Sequence, residues 1–257
     1  MILDQRPMKV MIDSDTEVAK DLRKYLRGKT SMNLMPDYYL LDISGMSDSD
    51  LEIIKSSKKI TVAGEDDSIL CLGVVDEIYQ YQDDMNEVTS IAISDGKDFW
   101  FSVANASIGK GASIRNTLVT CLSGFPLASY IADNPQLLRG QTYLDRLPDV
   151  VSTLARSVHA RAYFTHGQVN VVAPGSASSV LNIPDKEILE NPGFSNGVCT
   201  LKTKVKGYPI GLLVTIEKKR KKYRLVSQTI NADNWEGDWV SELMLIDEDI
   251  ISDIEGG

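Results

Sequence analysis

With two histidines and three cysteines among 257 residues, the chain is poor in the side chains that most metal and nucleophilic sites need. His159 and His166 show no HExxH or other tight ligand spacing, so the pattern of a catalytic zinc site is missing. Cys71, Cys121 and Cys199 are odd in number and far apart, and no CxxC pair occurs, which argues against a zinc site or a disulfide framework. Cys71 and Cys199 lie in apolar runs and are expected to be plain core residues. No apolar run approaches the ~20 residues that span a bilayer. The opening residues MILDQRPMKV mix both charge signs with a proline, unlike a signal peptide, so folding in a cytoplasm is expected. A basic excess is absent as well. The net charge of −9 and pI near 4.8 argue against general nucleic-acid binding, which favours a basic face. No GxSxG elbow marks a nucleophile.

What the chain does have is a faint repeat. Shifted by 152 positions, Ile60–Asp95 lies over Leu212–Asp247 without a gap, with identities that include Val62/Val214, Val74/Val226, Ile78/Ile230, Val88/Val240 and Asp95/Asp247. Each copy reads as an apolar strand, a charged turn, a second strand, a polar loop and a third alternating strand ending in Asp. A three-strand meander that occurs twice implies two similar β-domains. Alternation places Ile91, Ile93, Leu243 and Leu245 on the inner faces of the third strands. At 43% hydrophobic and 25% charged, the composition is that of a globular chain long enough for one large core or two.

Along the chain, residues 8–13 read as a strand. Ser14-x-x-Glu17 resembles a capping box, with Val18, Leu22 and Leu26 as an apolar stripe and Gly28 as a stop, which predicts a helix. The competing reading of 16–45 is strand-rich, because Tyr38–Ile43 looks like β. Residues 47–58 read as a short helix. Between the two β-regions, 113–121 and 142–157 carry helical spacing and predict a helical pair. Residues 163–173 read as a hairpin with His166-Gly167 in its turn, and 174–195 as connecting loop.

Candidate chemistry is sparse. Gly28-Lys29-Thr30 lacks the earlier glycine of a phosphate loop, because position 23 is Arg. Gly109-Lys110-Gly111 opens a helix without a βαβ context. The carboxylate clusters Glu65-Asp66-Asp67, Asp83-Asp84 and Asp247-Glu248-Asp249 fall at turns and at the tail, and are expected to be solvated. Trp235 and Trp239 flank a turn, with one of them expected to pack beneath it. The sharpest charge feature is Lys218, Lys219, Arg220, Lys221 and Lys222, a basic hairpin tip. It reads either as a solvated turn or as a docking point for an acidic neighbour such as another copy of this chain.

The order of motifs resembles the baseplate or tail-tip hub proteins of tailed phages and related contractile injection systems. It runs from Gly73-Val74-Val75-Asp76-Glu77-Ile78 through Val88–Ser94, Asp95-Gly96 and a Ser-rich stretch to Gly109-Lys110-Gly111-Ala112-Ser113. Later come Gln168–Val172, a Pro-Gly loop, Gly207-Tyr208-Pro209-Ile210-Gly211, Tyr223-Arg224-Leu225-Val226 and the Trp235–Trp239 turn. The resemblance implies a fold that is mainly β with inserted helices (α+β), built on two related tail-tube-like β-barrel domains. These are expected over residues 1–105 and, with the helical pair, over 106–257. It implies a homotrimer that adapts the six-fold tail tube to the three-fold spike or tip and lines the DNA channel. The implied partners are the chain itself, the tail tube protein, the central spike or tip protein and a tape measure protein. No cofactor, metal or catalytic residue is implied, nor sequence-specific nucleic-acid binding or membrane insertion. The implied location is the virion, after assembly in the host cytoplasm, and the acidic balance suits a channel that repels DNA. The rival readings are a tail-associated cell-wall hydrolase, a nucleic-acid-binding barrel using Lys218–Lys222, and another tube or distal-tail component.

Overall fold

The computed structural model describes residues 6–83, 86–216 and 221–248. The chain opens with strands β1 (Lys9–Ile12), β2 (Thr16–Val18), β3 (Lys24–Ser31) and β4 (Asp37–Ser44), then helix α1 (Asp48–Ser56). The first meander follows as β5 (Ile60–Ala63), β6 (Ile69–Asp83) and β7 (Asn86–Asp95). The middle of the chain holds α2 (Lys97–Phe101), β8 (Val103–Ile108), α3 (Ile114–Leu122), β9 (Leu127–Ile131), β10 (Gln141–Arg146), α4 (Leu147–Arg156), β11 (Arg161–Thr165) and β12 (Gln168–Val172). The last third holds β13 (Val180–Ile183), β14 (Gly193–Ser195), β15 (Val198–Lys204) and a second meander of β16 (Leu213–Ile216), β17 (Lys222–Asp233) and β18 (Trp239–Asp247). The fold is mainly β with inserted helices, as the residues imply.

Both meanders join one 13-stranded sheet, whose path runs β14-β15-β18-β17-β3-β4-β7-β6-β5-β1-β2, with β13 and β16 beside it. Period-2 alternation gives this sheet one apolar face. Leu26, Leu41 and Ile91 follow one another across β3, β4 and β7, and all are fully buried. In the second half Leu201 lies beside Leu243 and Cys199 beside Leu245 across β15 and β18, and all four are at most 2% exposed. The four inward residues read from alternation, Ile91, Ile93, Leu243 and Leu245, are at most 1% exposed. Cys71, Cys121 and Cys199 are all buried and free.

The two meanders share strand order and antiparallel sense, as duplication requires. The gapless offset needs correction. Each long strand carries a bulge, between Val75 and Glu77 in β6 and between Leu225 and Ser227 in β17. Aligning the bulges sets β6 and β17 apart by 150 positions, whereas Asp95 and Asp247 keep β7 and β18 at 152. In the β5–β6 turn the spacing changes again. Insertions fall in loops because strand registers, once buried, resist slipping.

The capping-box helix does not form. Asp13 and Ser14 adopt left-handed φ of 49° and 79° and close the β1–β2 hairpin instead, while Glu17 pairs with Met11. The four-residue spacing of Val18, Leu22 and Leu26 satisfies both periods, and sheet pairing decides between them. Gly28 is no helix stop. It sits inside β3, where a Cβ would collide with the Tyr39 ring. The predicted helix over 142–157 begins only at Leu147, since 142–146 pairs with β8. Pro148, in the first turn of α4, is the residue that marks this start. The stretch 174–195 is not loop throughout, because β13 pairs in parallel with β16 and β14 pairs antiparallel with β15. Residue 105, the expected domain boundary, lies inside β8.

Other local readings match. Ser47 and Ser113 cap α1 and α3 by accepting the N–H of Asp50 and Asn116. His166 and Gly167 form the β11–β12 turn with φ of 51° and 74°. Leu243→Asp buries an unpaired charge at a site 1% exposed, and the expected loss is several kcal/mol. Urea titration checks it, and an unchanged midpoint means that Leu243 does not face the core.

Candidate assembly interface

Long strands leave edges, and an edge is a row of unpaired N–H and C=O groups. β6 is the longest strand, at 15 residues. From Ile69 to Gly73 it pairs with β5, and from Val74 to Asp83 it pairs on the opposite side with β7. Among the described residues, the β5-side edge of Val74–Asp83 has no strand partner. Tyr79 and Tyr81 stand beside it, 49% and 46% exposed.

β17 is the counterpart of β6 and shows what such an edge does when filled. Its start pairs with β16, as β6 pairs with β5. Beyond the bulge, the same edge is occupied by β3, with Ser227–Asp233 lying antiparallel to Tyr25–Ser31. At the other end of the sheet, β14 closes the row and its outer edge is unpaired among the described residues. The molecule therefore carries an internal copy of a junction and two open halves of it, one along the second part of β6 and one on β14.

The sheet face opposite the core is polar. Lys202, Glu242, Thr229, Lys29, Tyr38 and Ser94 form one cross-strand row over six strands, from β15 to β7. Charges here are paired with opposite charges. Arg27 lies 3.7 Å from Asp42, and Lys202 lies 3.8 Å from Glu242 and 3.0 Å from Glu190. A second exposed surface lies on the β8–β10 ribbon and the end of α2, where Val103, Leu144 and Phe101 are 61%, 71% and 73% exposed. Trp100 beside it carries the Arg146 guanidinium 4.4 Å from its ring centre.

Of the basic tip, Lys218, Lys219 and Arg220 lie outside the described residues. Lys221 makes an ion pair with Asp247 of its own chain, and Lys222 is exposed at the start of β17. Asp249 lies outside the described residues, and the other two tail acids are not solvated as expected. Asp247 and Glu248 are 5% and 8% exposed. Glu248 accepts hydrogen bonds from Arg224 Nε at 3.0 Å and from the Gly175 N–H at 2.6 Å, while Arg224 also donates to the Gly211 carbonyl at 2.8 Å. This buried pair ties β17 to the loop after β12. Asp67, from the first carboxylate cluster, is held by Lys9 at 2.7 Å. Trp239 packs on the first core while Trp235 is 42% exposed, so one tryptophan lies under the turn as read. His159 follows α4, and partial burial lowers the pKa of His166, with Lys59 adding to the shift.

No group of three or more His, Cys, Asp and Glu able to hold a metal occurs among the described residues. Sequence reasoning missed the β6 edge and the Arg224–Glu248 pair. The length of the alternating run 69–83 was the available signal for the edge; nothing local marked the pair.

No protein-family model matches the sequence, and no curated protein matches it either. Solved structures do match. The chain superposes on a tail protein from Neisseria meningitidis MC58 with a TM-score of 0.65 at 11% identity, covering 95% of this chain and 97% of that one. The 43 kDa tail protein of prophage MuSo2 from Shewanella oneidensis gives 0.67 at 8% identity, over 96% and 98%. The E. coli c3393 protein, a type VI secretion component with structural similarity to the T4 tail proteins gp27 and gp5, gives 0.64 at 11% identity, over 93% and 76%. The fold is thus that of phage tail proteins and their secretion-system relatives.

Breaking the Arg224–Glu248 pair tests its weight. Arg224→Met leaves a buried carboxylate unpaired and is expected to cost about 3–5 kcal/mol, with Glu248→Leu in the same chain restoring most of it. Thermal unfolding of both variants reads this. Equal losses in the single and double variants contradict the pairing.

Proposed function

We propose that the protein is a structural hub of a phage tail or related injection machine, in which three copies close into a ring. The observation that carries this reading is the unpaired β6 edge, whose counterpart on β17 is filled by β3. A molecule with a filled junction inside and complementary open half-junctions on β6 and β14 favours head-to-tail association, and such association either closes into a ring or runs on as a filament. Three copies of two related units present six equivalent positions, which suits a six-fold tube on one side and a three-fold spike or tip on the other. The units are residues 1–105 and 106–257, each with its own meander. The partners are the chain itself, the tail tube protein, the spike or tip protein and a tape measure protein. The location is the virion tail.

The polar sheet face is the natural lining of the ring. Its matched charges imply passage of DNA along a wall of paired charges and tyrosines, not along a strongly acidic one. The β17–β3 register, transferred to the open edges, sets Tyr79 opposite Ser195 and Tyr81 opposite Gly193 of the neighbouring copy. Because the three natural cysteines are buried, the pair Tyr79→Cys and Ser195→Cys is expected to cross-link copies on mild oxidation, giving covalent dimers and trimers. Mass measurement with tube and spike partners supplied is expected to show a trimer. A monomer under those conditions, with turnover of cell wall, establishes the hydrolase reading instead.

The basic tip adds rim electrostatics, which tune association rate and salt dependence more than affinity. Lys221 belongs to its own Asp247, so the test is confined to Lys218, Lys219 and Lys222. Changing these three to Ser is expected to slow assembly at low salt and to leave the melting temperature unchanged. Assembly rates that are the same with and without the three lysines at low salt remove the tip from the interface.

A further inference from the structure

The register of β4 and β7 sets Asp37 directly opposite Asp95. Both are buried, 6% and 5% exposed, and among the described residues neither forms an ion pair. They sit at the seam between the first meander and the β11–β12 hairpin. Asp95 accepts the N–H of His166 at 2.5 Å and that of Gly167 at 3.0 Å, so it holds the left-handed turn in place. Asp37 Oδ1 accepts the Ser31 N–H at 3.0 Å and ties the turn between β3 and β4 to the same point.

The duplication supplies an internal control. Asp247 ends β18 as Asp95 ends β7, and it is equally buried. There the acid has a cation, Lys221, and the residue facing it is Gly197, whose carbonyl accepts the Asp247 N–H at 2.8 Å. In the first half, the β6 residue matching Lys221 is Cys71, fully buried, and the β4 residue matching Gly197 is Asp37. The same strand end is built once as carboxylate plus ammonium and once as carboxylate facing carboxylate. Two carboxylates this deeply buried, Asp95 at the wall of a cavity that Lys58, Lys59 and Lys97 also line, cannot both ionise without cost, and neutralising one with a proton is the available relief.

We propose that Asp37 and Asp95 share one proton, and that this proton makes the seam between the first meander and the β11–β12 hairpin a pH-sensitive latch. The neutral carboxyl donates its O–H toward the ionised one, which keeps its two backbone donors. When the proton leaves, two negative charges face each other, the ends of β4 and β7 are driven apart, and the His166–Gly167 turn loses its anchor.

The groups facing the pair agree in direction. Burial, then the charge of Asp95, pushes Asp37 up to about 8, against the Ser31 N–H and Lys29 on β3. Burial pushes Asp95 up to about 6, against the Gly167 and His166 N–H groups and Lys59. On β6 and β4, Cys71 and Tyr39 are both raised, chiefly by burial, and stay neutral. His166 is lowered by burial, and Lys59 adds to the shift. Both carboxyls bind protons more tightly when folded than at the ordinary 3.8. Both protons are bound below about pH 4; as the pH rises through about 6 Asp95 ionises and one proton remains on the pair, and the stability that this shared proton confers is lost as the pH rises through about 8.

The test uses the full chain between pH 5 and 9, and does not depend on ring formation. Amide exchange at His166 and Gly167, corrected for its intrinsic pH dependence, is expected to rise with pH by up to about tenfold per unit, the limit for loss of one proton. Asp37→Asn keeps a neutral hydrogen-bonding group, and is expected to abolish that rise and to lift the melting temperature at pH 8 to 9. An exchange profile in Asp37→Asn that matches the unmodified chain overturns the latch. Should the variant fail to fold, carbon NMR titration of the unmodified protein decides: an aspartate carboxyl titrating above pH 6 supports the shared proton, and all aspartates titrating below pH 6 refute it.

Discussion

The ladder between β3 and β17 is the constraint on which the rest of the structure hangs. Seven residues of β17, Ser227 to Asp233, pair with Ser31 to Tyr25, and this contact turns two meanders into one sheet. Without it, each meander would present a long open edge, and the polar rows that cross from Lys202 to Ser94 would be cut in the middle. Side contacts reinforce it. The Lys24 N–H donates to Asn234 at 2.6 Å, and Arg23 reaches Asp233 at 2.7 Å. Both lie at the end of β17, where the strand would otherwise fray.

The two meanders share strand order and sense and differ in the chemistry around them. The bulges keep the same place in β6 and β17 because a bulge bends and twists the strand, and the sheet must curve at that point in both halves. The loops absorb the changes in spacing. The acid that ends the third strand is retained as well, and its surroundings have changed completely, from a lysine partner to a second acid. Such changes survive because the backbone ladder around them supplies most of the local order, leaving side chains at strand ends free to take new roles.

Much of the secondary structure was legible in the sequence. Alternation found β5, β6, β7, β16, β17 and β18, and helical spacing found α1 and α3. The failures share one cause. Val18, Leu22 and Leu26 fit a helix by spacing, yet Leu26 is placed in β3 by Leu41 on one side and Ala232 on the other, and the second of these is more than 200 residues away. Thr142–Arg146 reads as helix until β8 is beside it. Asp247 and Glu248 read as a solvated tail until Arg224 and the Gly175 N–H enclose them.

By itself, therefore, the sequence determined which residues face inward along each strand, where most turns fall, and that one meander occurs twice. Those properties depend on neighbours within a few residues, where the period of the chain and the φ preferences of single side chains act directly. Tertiary structure alone decided which edges are filled and which stay open, and which acids are dry. Pairing and burial are set by groups distant in sequence, and no local pattern carries that information.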